Sequence, residues 1–172
     1  MKLGIISDTH ITSNTNQDQA TPLINQLMNV FKDADRIVHA GDICEPSFLS
    51  KLESIAPVSA VKGEGDKVLN LDQFIKISVS QYNIGIIHEL PGNLEEFMRV
   101  NNLQILVFGH THIPLIKGTK FNTLLLNPGS PTKPNVPPQK PGFLKPVARP
   151  TVITLNIDEN DILSTFIITL KL

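Results

Sequence analysis

Five short apolar runs in this 172-residue chain lead directly into carboxylates or imidazoles. Residues 2–7 run into Asp8 and His10, 36–40 into Gly41-Asp42, and 58–62 into Gly63-Glu64-Gly65-Asp66. Residues 83–88 end on His88, and 104–108 run into Gly109-His110-Thr111-His112. Apolar runs of this length that stop at polar residues read as buried strands. In open α/β sheets the loops beyond the carboxyl ends of the strands form the ligand crevice. The pattern therefore predicts that Asp8, His10, Asp42, Glu64, His88, His110 and His112 converge.

Such a gathering needs a cation, because buried carboxylates without partners are costly. Mixed histidine and aspartate ligation suits first-row divalent metals, whereas a structural zinc site would use more cysteine, and only Cys44 is present. Seven donors exceed the needs of one tetrahedral ion. Two ions about 3.5–4 Å apart, bridged by a carboxylate and a hydroxide, account for them. The chemistry expected is phosphoester hydrolysis, with the bridging hydroxide as nucleophile. Taken singly, each motif is weak, and a lone strand-end histidine is usually structural; His39 is read that way. The ordered series carries the reading.

Between these runs, Pro22 fits the first turn of a helix, after a polar loop over 12–19. It is followed by Leu23, Ile24, Leu27, Met28 and Phe31 at helical spacing. Pro46 opens a second helix, and a third is expected over 93–101. Further strands are expected at 74–79, 121–127, 151–157 and 162–170. Helices alternate with strands in the first half and strands dominate the second. That order predicts a single α/β domain over 1–172 whose sheet is extended by antiparallel strands. Eight of the thirteen prolines fall in 128–150, so no ladder can run through that segment. Loops of this length usually serve as lids or interaction arms.

Charge is unevenly spread. No acidic residue occurs over 97–157, which carries seven basic ones, while the other 111 residues sum to −8. A field of one sign near a cleft steers ions of the other. A net charge of −1 argues against a strongly basic nucleic-acid binder, and with no Trp and one Tyr there is little to stack on bases. The lone cysteine excludes an intrachain disulfide. Residues ahead of Asp8 are too few for a secretion signal and no apolar run is long enough to span a bilayer, so a cytoplasmic protein without a membrane partner is expected.

The stretches Leu-Gly-Ile-Ile-Ser-Asp-Thr-His, Ile-Val-His-Ala-Gly-Asp-Ile, Val-Phe-Gly-His-Thr-His-Ile-Pro and Leu-Asn-Pro-Gly-Ser-Pro resemble the calcineurin-like metallophosphoesterase superfamily. Within it, the chain resembles the small YfcE-type phosphodiesterases. The resemblance implies a four-layer α/β/β/α sandwich, two mixed β-sheets face to face with helices outside. It implies that Asp8, His10 and His112 bind one divalent ion, that Asp42 bridges, and that His88 and His110 bind a second. Manganese is the first expectation, with iron, nickel or zinc as alternatives. Asn127 is expected to shape the loop beside the site.

Two positions depart from the family pattern. Glu64 stands where the family usually has an asparagine that ligates the second metal, and His88-Glu89-Leu90 replaces the usual His-Gly-His. With Glu64 bound, the charge of the two ions and their ligands falls from about +1 to about 0, so metals are held tighter and an anionic substrate is drawn less. The basic loop, Lys133 and Arg149 above all, is expected to restore that attraction as substrate-binding residues. No residue is an obvious general acid. The expected substrate is a small-molecule or nucleotide phosphodiester; nucleic acid and self-association are left open. The alternative is a scaffold on the same fold with weak or no catalysis, as in the retromer subunit.

Overall fold

A computed structural model describes residues 1–12, 17–67 and 70–172. In β1 (Lys2–Ile6), successive side chains point to opposite faces, as in any strand. Leu3 and Ile5 enter one apolar core, and Ile6 enters another. The same two-residue period divides β2 (Arg36–His39), where Val38 joins the first core and Ile37 the second. With β3 (Val58–Ala60) these strands run parallel. The antiparallel strands β9 (Thr151–Ile157) and β10 (Leu163–Thr169) extend the sheet to the order β10-β9-β1-β2-β3.

The second sheet comprises β4 (Phe74–Val79), β5 (Tyr82–Ile87), β6 (Ile105–Val107), β7 (Pro114–Gly118) and β8 (Leu124–Pro128), in the order β4-β5-β6-β8-β7. Ile84, Ile86, Ile105, Val107 and Leu126 meet Leu3, Ile5, Val38, Ile153 and Leu155 between the sheets. Helices α1 (Gln17–Val30) and α2 (Pro46–Glu53) close the outer face of the first sheet through Leu23, Leu27, Phe48 and Leu52. Helix α3 (Leu94–Val100) closes the second through Met98, packed with Leu106, Phe108 and Leu125. The result is the expected four-layer sandwich of two mixed sheets flanked by helices. No helix among the described residues is long and apolar enough to cross a membrane.

Three details differ from the sequence expectation. Helix α1 starts at Gln17, so Pro22 lies inside it rather than in its first turn. One intrahelical hydrogen bond is lost there, and burial of Leu23 and Leu27 outweighs it. Of the expected polar loop over 12–19, residues 17–19 are therefore helical, and 13–16 lie outside the described residues. Strand β7 was not anticipated: it opens with Pro114, which an edge strand tolerates because the missing donor faces away from the ladder. Its partner β8 is correspondingly shorter than 121–127 at the start and begins at Leu124.

Gly4 fixes how closely α1 approaches the sheet. A Cβ there would lie 2.6 Å from the Phe31 ring, and Phe31 is itself buried. Gly4→Ala should cost about 1–3 kcal/mol in urea unfolding, the usual range for overpacking a closed core.

Candidate metal centre

Because β1, β2 and β3 are parallel, and β5, β6 and β8 are parallel, their carboxyl-terminal loops emerge together along one rim of the sandwich. The two sheets are tied across that rim. The His110 N–H donates to the Asp8 carboxylate at 3.0 Å, and His88 Nδ1 donates to the Ala40 carbonyl at 2.8 Å. Asp8, His10, Asp42, His110 and His112 all have positive φ, between 45° and 66°. Non-glycine residues adopt that conformation at a cost of about 1–3 kcal/mol each, and the strain concentrates at functional sites. Here all five lie in loops that follow β1, β2 and β6. Gly109 is required by close approach, since a Cβ there would lie 2.7 Å from Asp8 Oδ2.

The donor atoms are spaced as ligands. His10 Nε2 lies 3.1 Å from His112 Nε2, and His112 Nε2 lies 3.4 Å from Asp8 Oδ1. One oxygen, Asp42 Oδ2, stands 3.6 Å from His10 Nε2 and 3.7 Å from His88 Nε2. Ligands about 2.0–2.2 Å from one ion sit roughly 3–3.5 Å from each other. Two groups with metal-binding geometry result, Asp8 with His10 and His112, and Asp8 with Asp42 and His88.

Tautomers make the case for a cation stronger. His88 spends its Nδ1 proton on Ala40, and its buried Nε2 has no hydrogen-bond partner while it faces a carboxylate. His112 likewise spends Nδ1 on the Lys133 carbonyl, 2.7 Å away, which turns Nε2 into the site. Metal-ligating histidines use their second nitrogen in this way. Burial raises the Asp8 carboxyl above its usual range and lowers His10 below its own. A buried carboxylate beside imidazoles whose Nε2 atoms face it is completed by a divalent ion, so the residues present fit the group.

Glu64 and His110 stand outside both groups. Glu64 is exposed on the turn after β3 and lines the cleft beside His88 and Glu89. The neighbouring Gly65 N–H takes the inward position, donating to Asp42 Oδ1 at 2.7 Å. The His110 ring packs edge-on against His88, with centroids 5.4 Å apart, and its Nε2 lies 4.0 Å from Glu89 Oε1 at the rim. Lys133 sits close enough for its ammonium to add to the lowering of His10. No contact joins Arg149 to the cluster among the described residues.

Other polar groups hold the site in shape. The buried Asp66 accepts from the backbone N–H groups of Asp42, Gly63 and Cys44 at 2.9, 2.8 and 2.7 Å. Sequence reasoning gave it no role, although Gly-x-x-Asp was visible. Asn127 donates to the Gly109 carbonyl at 2.8 Å and accepts from the Gly129 N–H at 2.8 Å, which makes it a loop-shaping residue. Ser130 and Thr132 donate to the carbonyls of Asp8 and Thr9 at 2.7 and 2.8 Å. Burial, with the Asp66 and Asp42 carboxylates, pushes the Cys44 thiol up to about 11, so no thiolate nucleophile is present.

His39 is fully buried beneath the site, its Nε2 3.1 Å from Thr9 Oγ1. Burial lowers it from 6.5 to about 3, so between those values the unfolded chain binds a proton that the folded protein refuses. Its contribution to stability is complete above pH 6.5 and is lost as the pH falls through that window. The expected slope is up to about 1.4 kcal/mol per pH unit. Urea titrations at successive pH values should show a shallower slope in His39→Gln.

The profile of the calcineurin-like phosphoesterase superfamily domain matches residues 1–159. A probable metallophosphoesterase of Methanothermobacter thermautotrophicus is 32% identical over 166 residues, covering 92% of this chain and 87% of its own. Among solved structures, zinc-complexed Vps29 of Entamoeba histolytica superposes with a TM-score of 0.70 at 22% identity, covering 99% of this chain and all of its own. An archaeal phosphodiesterase superposes at 0.67 with 21% identity, covering 98% of this chain and all of its own. With strand-end carboxylates and imidazoles gathered on one rim of a two-sheet sandwich, and with relatives of this kind along nearly its whole length, the chain belongs to the calcineurin-like phosphoesterase superfamily.

Proposed function

We propose that the protein is a phosphodiesterase that works with two divalent metal ions, manganese first among them, on small-molecule or nucleotide diesters. One observation carries the reading. A single carboxylate oxygen, Asp42 Oδ2, lies between imidazoles that belong to different donor groups, 3.6 Å from His10 Nε2 and 3.7 Å from His88 Nε2. Such an oxygen suits the bridge of a two-ion site. His10 and His112, with Asp8, would hold one ion; Asp42 and His88, with His110 turned in from the rim, would hold the other. Glu64 would reach the second ion only by turning in from its exposed position.

A pair of bound divalent ions supplies an acidic water and a clamp on phosphoryl oxygens. The protein's own part is to hold the donors. Left-handed backbone at Asp8, Asp42 and His112 fixes their direction before any ligand arrives, and Asp66 and Asn127 brace the loops beneath them. Lys133 would bind the substrate phosphate beside His10. Arg149, exposed further along the same loop, would act only through long-range attraction. Among the described residues the acids beside the cluster, Glu64 and Glu89, are both exposed, so no buried acid stands by a leaving alkoxide, which favours diesters with acidic leaving groups.

The test is metal analysis of the purified protein together with hydrolysis of bis(4-nitrophenyl) phosphate in added Mn²⁺. Two equivalents of metal and hydrolysis abolished by chelator are expected, with diesters preferred over monoesters. One equivalent, or a monoester preference, would overturn the proposal. The likeness to Vps29 favours a second reading, a scaffold on the same fold. Two bound metals with no hydrolysis of any ester would favour that one.

A further inference from the structure

The connection from β8 to β9 divides into a fixed base and a projecting end. At the base, Asn135 donates its backbone N–H to the His112 carbonyl at 3.0 Å and its side-chain amide to the Thr111 carbonyl at 2.9 Å. Ser130 and Thr132 donate to the Asp8 and Thr9 carbonyls after β1, and the Lys133 carbonyl accepts from His112 Nδ1. From 136 to 149 no hydrogen bond reaches the site among the described residues. Beyond its base the segment is held only by bonds within itself among the described residues.

Its end is apolar and bare. Phe143 is 71% exposed, Leu144 95% and Val147 69%. The tip is nonetheless shaped: Phe143 N–H donates to the Lys140 carbonyl at 3.1 Å, Gly142 turns with φ +80°, and Gln139 Nε2 donates to the Phe143 carbonyl at 3.1 Å. Lys140 and Lys145 flank the apolar pair on either side, and Arg149 follows. None of the three forms an ion pair among the described residues.

We propose that this arm docks the protein on a bilayer surface bearing anionic head groups, with Phe143 and Leu144 entering the interface. Three properties favour a bilayer. The apolar pair has a lysine close on either side in the sequence, an arrangement suited to anionic lipid. Residues 97–157 carry no acidic group while the remainder sums to −8, so an anionic surface attracts the protein through this region and repels it elsewhere. Finally, Pro137, Pro138, Pro141, Pro146 and Pro150 carry no N–H, and the Phe143 N–H is already bonded, so fewer donors lose water on entry than in a proline-free loop of this length. A chain without a spanning helix can still lie on a membrane, and the sequence expectation of no membrane partner considered spanning alone. The inference does not depend on the hydrolytic reading.

The chain contains no Trp, so Phe143→Trp provides a single fluorescent reporter on an exposed position. With vesicles of phosphatidylcholine and phosphatidylglycerol at about 3:1, its emission should shift to the blue and be quenched by brominated lipid. Pure phosphatidylcholine should leave it unchanged. Binding should weaken at least about tenfold in about 1 M salt, where screening acts within about 3 Å. Leu144→Ser in the same background should weaken it at least about fivefold. Thermal melting checks that each variant is folded. Absence of binding, or binding indifferent to both salt and Leu144→Ser, would overturn the proposal. A blue shift without vesicles that grows with protein concentration would assign the tip to a second copy of the chain, and the bilayer would be excluded as its occupant.

Discussion

Replacing Asp66 by alanine should destabilise the fold by about 3–5 kcal/mol, although Asp66 is not one of the residues that face the crevice. Its carboxylate is buried and accepts three backbone N–H bonds, from Asp42, Cys44 and Gly63. Alanine offers those amides nothing, and each unsatisfied buried donor costs about 1–3 kcal/mol. The loss is local as well as global, because two of the three amides belong to the loop that aims Asp42. Urea unfolding should report the lower stability, and calorimetry should report weakened Mn²⁺ binding in whatever fraction stays folded. A midpoint unchanged from the parent would mean that water satisfies these amides and that Asp66 does not brace the loop.

Asp42→Asn should have the opposite profile. The amide keeps an oxygen for the Gly65 N–H, so the bond now made to Oδ1 at 2.7 Å survives. What goes is the negative charge between His10 and His88. Removing a partner that merely orients a ligand typically costs 10- to 100-fold in metal affinity, and a residue placed between two donor groups should cost at least about 100-fold. Without metal, stability should hold or rise slightly, because Asp42 and Asp8 repel one another and that repulsion adds to the raised Asp8 carboxyl. Mn²⁺ titration and metal-free unfolding, run side by side, separate the two variants. Were Asp42→Asn to bind Mn²⁺ as the parent does, the bridging role of Asp42 would be untenable.

These two aspartates divide what could be read early from what could not. Asp42 follows Gly41 at the end of an apolar run, and Asp8, His10, His88, His110 and His112 have similar positions, so their arrival on one rim follows from strand period and parallel connection. Both are local properties. The alternation in β1, with Leu3 and Ile5 toward one core and Ile6 toward the other, is equally local, and with it the layered architecture was legible. Strand β7 was not, because a short segment opening with Pro114 becomes a strand only when β8 is there to pair with it.

Within the site, sequence order determined which side chains carry donors and that they gather at strand ends. Tertiary structure decided which of them face inward. Glu64 and Asp66 sit two residues apart on one turn, yet Asp66 is buried against amides up to 24 residues away and Glu64 is exposed. Composition reads the arm's lysines as drawing anions toward the crevice, and the structure adds that Phe143 and Leu144, between Lys140 and Lys145, are bare. Strand period follows from the covalent chain, whereas the direction of a turn's side chains depends on which distant backbone groups require partners. That requirement exists only once the two sheets have closed on each other.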